Sequence, residues 1–263
     1  MLIIPIESYS EFVCQTGKIA KKWSKQGINV QIWYRGQINA NWHLIPKLYR
    51  EQFKHIIPRQ YEAIVEWIAQ AQSFQDTPKE YESRWDWYVE MQHFGFPTRL
   101  LDWTRRPLTA LWFAVYELSN LDAVVWAISP EKMNNVFNDL SKIPSPGVAG
   151  YWTKDKLIRT YIPGEWSSDL HPLPLAIFCR YRNRRIAAQS GTFTLHGAEK
   201  LGIDELIENK SVDEIVKFVI KKDKINNIQK ELLDRWIKET DVFPELGWLA
   251  VELIRIIGER EKK

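Results

Sequence analysis

Short β-rich runs alternate with helical stripes along most of the chain, and the last quarter is helical in pattern. Residues 19–24 follow a helical period that Gly27 closes. Residues 30–34, VQIWY, read as a strand with Arg35 and Gly36 at its end. Residues 59–74 place Ile64, Val65, Ile68 and Ala71 on one helical stripe. In Thr77-Pro78-Lys79-Glu80, Thr77 caps, Pro78 takes the first helical position and Glu80 closes a capping box. That helix should run to about Gln92 and stop at Gly95. Pro107 opens another helix, with Thr104 as its cap and an end near Ser119. Leu108, Leu111, Trp112, Val115 and Leu118 form its buried stripe. Residues 123–128 read as a central strand, and residues 134–164 as irregular. Residues 174–179 and 186–195 read as further strands. Ser211-Val212-Asp213-Glu214 is a second capping box, and helices are expected over 211–221, 223–239 and 244–257.

This order predicts an α+β protein. A mostly antiparallel β-sheet, continuous or split, is flanked by helices, with an all-helical C-terminal tail packed on it. The expected division is a core over residues 1–200 and a helical segment over 201–263, forming a single structural unit.

Composition narrows the picture. The chain has 263 residues, enough for a sizeable core. Its net charge of +3 argues globally neither for nor against a nucleic-acid partner. Locally, Arg180, Arg182, Arg184 and Arg185 surround Tyr181, a pattern that suits nucleic acid or a solvated strand edge. Cys14 and Cys179 stand far apart without a CxxC or Cys/His grouping. A disulfide framework and a metal site are therefore not expected, and a reducing cytoplasm is. The segment MLIIPIESYSEF lacks a basic n-region, so it does not read as a signal peptide. Glu117 and Asp122 interrupt the longest apolar region, so no membrane partner is expected.

The densest chemistry lies in residues 91–114, MQHFGFPTRLLDWTRRPLTALWFA. His93, Arg99, Asp102, Thr104, Arg105 and Arg106 sit there among aromatic and aliphatic residues. Burying a charge costs several kcal/mol unless partners compensate. The segment is thus either a networked structural corner or the wall of a site. Arg35 offers a guanidinium fork suited to phosphate, and Gly36 permits close backbone approach. Arg35 either clamps a pyrophosphate or ribose, or pairs with a carboxylate such as Asp102. Asp102 either orients His93 or pairs with an arginine. Gln189 either binds a base or ribose hydroxyl, or satisfies backbone groups at a β-bulge that Gly191 suggests. Ser190 lacks a Gly-x-Ser-x-Gly setting, and the chain has no Walker loop, GxGxxG fingerprint or HExxH pair.

Four blocks carry a resemblance: YRGQ followed by LIPKLYR, then HFGFPTRLLDWTRRPLTALWFA, then RIAAQSGTFTLHG, then FPELGWLA. In this order they resemble the FRG domain, a bacterial family named for its Phe/Tyr-Arg-Gly motif. The layout is also similar, distantly, to that of ADP-ribosyltransferases, which set an Arg or His, then a Ser/Thr/Tyr element, then a Glu around NAD. By that resemblance Arg35 holds the ribose or phosphate of NAD, and Thr98 or Thr104 supplies the middle element. Gln189 stands in the place of the acidic residue, with Glu165 or Glu199 as alternative sources of charge. Catalysis is then expected on Arg35, Thr104 and Gln189. Binding of NAD, without a metal, is expected on Arg35, Gly36, Gln37, Arg99, Asp102 and His93. The implied activity is that of an NAD-cleaving or ADP-ribosylating effector, a toxin or phage-defence protein, acting on a protein or nucleic-acid target. The alternatives are a nucleic-acid-binding module and a non-catalytic sensor or interaction domain.

Overall fold

The computed structural model describes residues 1–24, 31–74, 84–146, 157, 160–161, 170–181, 183–208, 215–235 and 237–260. A seven-stranded mixed sheet, β1 (Leu2–Ile6), β2 (Trp33–Gln37), β3 (Leu100–Thr104), β4 (Ala123–Ile128), β5 (Leu175–Ile177), β6 (Gly191–Leu195) and β7 (Ile215–Ile220), organises the chain. The strand order is β1-β7-β4-β2-β3-β6-β5. Only β1 and β7 run parallel; the other neighbours are antiparallel. The sheet comes close to splitting in two. β2 pairs with β4 over five positions, but with β3 at the single pair Tyr34 and Thr104.

β4 shows why both faces are covered. Ala123, Val125 and Ala127 face one apolar cluster, and Val124, Trp126 and Ile128 face another. A strand buried on both sides reads as a continuous apolar run. The first cluster is roofed by α1 (Tyr9–Ser24), α4 (Pro107–Val115) and α8 (Lys222–Asp234). In α1, Phe12, Thr16, Ile19 and Trp23 recur at helical spacing and are buried. The second cluster is closed by α5 (Pro130–Asn138) and α7 (Ile203–Glu208). A third joins β5 and β6 to α2 (Gln60–Ala71) and α3 (Arg84–His93).

Several expectations are corrected. The strand that holds Arg35 runs to Gln37, so Arg35 and Gly36 lie inside it, not at its end. Residues 184–189 are not strand but a short helix, α6 (Arg184–Gln189). Asn183 caps it, accepting the Ile186 N–H at 2.8 Å, and Ser190 ends it in the left-handed conformation at φ 48°. Gly191 then opens β6, so the expected β-bulge is a helix C-cap. The helix at Pro107 stops at Val115, and Leu118 is exposed. Ser119 Oγ accepts the Leu121 N–H, building a turn that ends the stripe. The 134–164 region begins inside a helix, α5, closed by Asp139 at φ 51°.

The helix expected over 211–221 is also corrected: residues 215–220 are β7, between β1 and β4. The β-branched and aromatic run IVKFVI outweighs the capping box before it. From Lys222 onward the secondary structure of the described residues is helical, with α8 followed by α9 (Glu239–Val242) and α10 (Leu246–Arg260). The helix expected over 223–239 is thus two pieces. Both expected capping boxes and the start of the helix at Thr77 lie outside the described residues. No helix of the described residues is long and apolar enough to cross a membrane.

Candidate functional site

A cavity of about 630 Å³ opens beside the join of β2 and β3. Its volume falls in the range of small-molecule sites. Tyr34, Arg35 and Gly36 come from β2; Asp102, Trp103 and Thr104 from β3; Gln92, His93 and Phe94 from the end of α3; Phe113 from α4; Arg185 and Gln189 from α6; and Phe193 from β6. Its lining draws on all three apolar clusters, with Tyr34 and Phe113 from the first, Trp103 from the second and Phe193 from the third.

Beyond Tyr34 and Thr104 the β2–β3 ladder is missing, and buried backbone groups need other partners. The Arg35 side chain fills this gap. Its Nη1 donates to the Asp102 carbonyl at 2.8 Å and lies 4.0 Å from the Asp102 carboxylate. The Arg35 side chain is 17% exposed and that of Asp102 58%. Burial, reinforced by Arg50 and opposed by Asp102, pulls the Arg35 guanidinium down to about 10, so it remains a cation at neutral pH. The Arg35 Nε is buried without a hydrogen-bond partner. Asp102 Oδ2 accepts from Gln92 Nε2 at 2.8 Å, and Gln92 Oε1 accepts from the Thr98 hydroxyl. The residue that fixes the Asp102 carboxylate is therefore Gln92.

Gly36 brings β2 against α4. A Cβ there would fall 1.9 Å from the Ala110 carbonyl oxygen and 2.7 Å from the Ala114 nitrogen. This close approach carries Phe113 to the cavity wall. At the opposite side, the β3–α4 corner grips the C-terminal end of α6. The Thr104 hydroxyl donates to the Gln189 carbonyl and accepts the Arg106 N–H at 3.0 Å. The Arg105 N–H donates to the Ser190 carbonyl, and Arg106 Nη1 to the Ala188 carbonyl. Helix carbonyls left without intrahelical partners are thus satisfied, and a cation stands at the negative end of the helix.

Of the residues expected to form the site, Arg35, Gly36, His93, Asp102, Thr104 and Gln189 all line this cavity. Gln37 and Arg99 do not. Gln37 is buried and accepts from Trp126 Nε1 at 2.7 Å. Arg99 is sealed inside, donating from Nη1 to the His196 carbonyl and from Nη2 to the Tyr161 carbonyl. Its task is to hold loop backbone. Thr104 is tied by two hydrogen bonds, which suits a structural role. The Gln189 amide donates to the Val242 carbonyl at 3.1 Å. Thr98 is fully buried, and Glu199 accepts from the N–H groups of Lys200 and Leu201 away from the cavity. Glu165 lies outside the described residues.

Arg185 is a cavity residue that the sequence showed only as part of a basic run. Its guanidinium lies 4.2 Å from the Phe243 ring centroid, and burial lowers its pKa against the opposing pull of Glu245 and Asp102. Phe243 in turn stacks on Trp248 at 4.3 Å. Of the rest of that run, Tyr181 accepts from Arg105 Nη2 at 2.8 Å, and Arg182 lies outside the described residues. Gln92 carried no sequence signal beyond its place in the central block.

Next to the site, His196 is completely buried, and neither ring nitrogen has a hydrogen-bond partner. Burial, then Arg99 and Arg35, pull its pKa down to about 3, so the ring is neutral.

Residues 30–123 match the model of the FRG domain. The chain carries an FRG domain. Its segment supplies the β2, α3, β3 and α4 sides of the cavity, while Arg185, Gln189 and Phe193 come from beyond it. Neither the curated proteins nor the solved structures gave a match to the chain.

Proposed function

We propose that the FRG domain binds an NAD-type dinucleotide in this cavity and cleaves or transfers its ADP-ribosyl group. The observation that carries the reading is the joint presence of Arg35, Arg185 and the Asp102 carboxylate on one partly aromatic wall. Two guanidiniums match a pyrophosphate by charge and geometry. The carboxylate and the Gln92 amide match ribose hydroxyls. Phe94, Phe113 and Phe193 offer rings against which a base packs.

When the glycosidic bond to nicotinamide breaks, the leaving group takes the electron pair and positive charge develops on the ribose. A nearby carboxylate stabilises that charge. Among the described residues lining the cavity, Asp102 is the carboxylate. We therefore give it the acidic role that the motif order assigned to the position of Gln189. The Arg35 guanidinium, 4.0 Å from the carboxylate, weakens its field at the ribose, so turnover should be slow. NAD consumption of this kind suits a toxin or phage-defence effector.

Calorimetry with NAD and chromatography of released nicotinamide test the reading. Arg35→Lys, which replaces the fork by a point charge, should weaken binding by about tenfold or more. Asp102→Asn should leave binding within a few-fold and suppress release by about a hundredfold. Wild-type protein that neither binds NAD nor releases nicotinamide would reject the proposal.

A further inference from the structure

The last helix is docked with its polar side inward. In α10, Trp248, Glu252 and Arg255 turn toward the rest of the molecule, and Glu252 is buried. Glu252 accepts from the Thr240 hydroxyl at 2.6 Å and lies 3.0 Å from Lys238 Nζ. Arg255 Nε lies 2.9 Å from the carboxylate of Glu239, itself buried. The opposite side is apolar and faces solvent. Leu246 is 84% exposed and Ile254 71%, and Leu249, Leu253 and Ile257 are exposed with them. A docked surface helix normally shows the reverse pattern.

We infer that this face is where a second copy of the chain docks, with α10 packing on its own counterpart across a two-fold axis. The argument has three parts. First, positions 246, 250, 253 and 257 step by four, three and four residues, the spacing of a helix–helix seam. A seam of that spacing can pack on itself, as an isologous interface requires. Second, the exposed apolar residues of this face present roughly 600 Å², approaching the ~800 Å² per partner of a standard interface once polar rim residues are added. Third, the charge distribution disfavours a lipid surface. A membrane-lying helix presents Lys and Arg beside its apolar face. Here Arg255 and Lys238 are committed inward to Glu239 and Glu252. Those ion pairs also lock the helix about its axis, because turning the apolar side inward would strand buried carboxylates.

The inference is independent of what the cavity binds. Sedimentation of the full chain should give about twice the 31.1 kDa of one copy. Leu253→Glu combined with Ile257→Glu should weaken self-association by about a hundredfold or more. Both sites are exposed in the single chain, so the melting curve at dilute concentration should stay that of a folded protein. A second readout needs no substitution: hydrogen-exchange protection of residues 246–257 in the wild type should rise with protein concentration. A wild type that stays monomeric at about 100 µM overturns the proposal, whether or not it floats with anionic vesicles. A dimer that the paired substitution leaves intact, or protection that ignores concentration, overturns it as well.

Discussion

Replacing Gly36 by alanine should be the most damaging single-methyl change in the FRG domain. The added carbon would lie 1.9 Å from the Ala110 carbonyl oxygen, where real contacts keep at least 3.0 Å. Both crowded partners, Ala110 and Ala114, are backbone atoms of α4, so no side chain can swing aside. Strand and helix must separate by about 1 Å along a fully apolar contact. Overpacking of a core typically costs 1–3 kcal/mol, and a rigid backbone contact belongs at the upper end, about 3 kcal/mol. For a chain of this size that lowers Tm by roughly 6–12 °C. The same shift moves Arg35 off the Asp102 carbonyl, now 2.8 Å away, so ligand affinity should fall with stability. Gly17→Ala is the internal control. Gly17 lies inside α1 with nothing within 4 Å of an added Cβ, so this change should stabilise by about 0.5–1 kcal/mol. Both variants can be read by thermal melts followed by circular dichroism. A Gly36→Ala protein that melts with the wild type would refute the packing argument, and Gly17→Ala shows that the assay resolves one methyl.

Two further predictions rest on groups beside the cavity. Thr104→Val strands the Arg106 N–H and the Gln189 carbonyl, so denaturant titration should show a loss of about 1–3 kcal/mol, and Thr104→Ser should restore most of it. His196 titrates at about 3 when folded against 6.5 when free. The unfolded chain therefore binds more protons across that window. The stability tied to His196 is complete above the free value and drains away as pH falls toward the folded one, by about 1.4 kcal/mol per unit. His196→Phe should flatten the acid limb of the stability profile by that slope, and an unchanged difference from wild type would contradict the burial reasoning.

The sequence announced the site through incongruity. Charged residues inside an apolar block need partners or a purpose, which is why Arg35, His93 and Asp102 could be picked out. It could not say which side of β3 each residue would take. Leu101 and Trp103 face one cluster and Leu100 another, and Arg99 precedes β3 whereas Asp102 lies inside it at the cavity. Arg99 and Asp102 looked alike in composition and serve differently for that reason. Gln189 was assigned to a strand because Thr192, Phe193 and Thr194 lent β character to their neighbours, while the left-handed Ser190 that separates helix from strand has no strong signature. β7 was hidden behind a capping box, a local signal that a tertiary contact overruled.

The position of that strand shapes how the molecule is made. β1 precedes the other described strands in the chain, yet its single neighbour among them is β7, more than two hundred residues later. Until β7 emerges, β1 has no partner and β4 presents a bare edge, which invites pairing with other chains. Completing the sheet is thus a late, long-range event of the kind that slows folding. Fragments that end after β4 and before β7 should be aggregation-prone, because they carry the exposed edge without the strand that closes it.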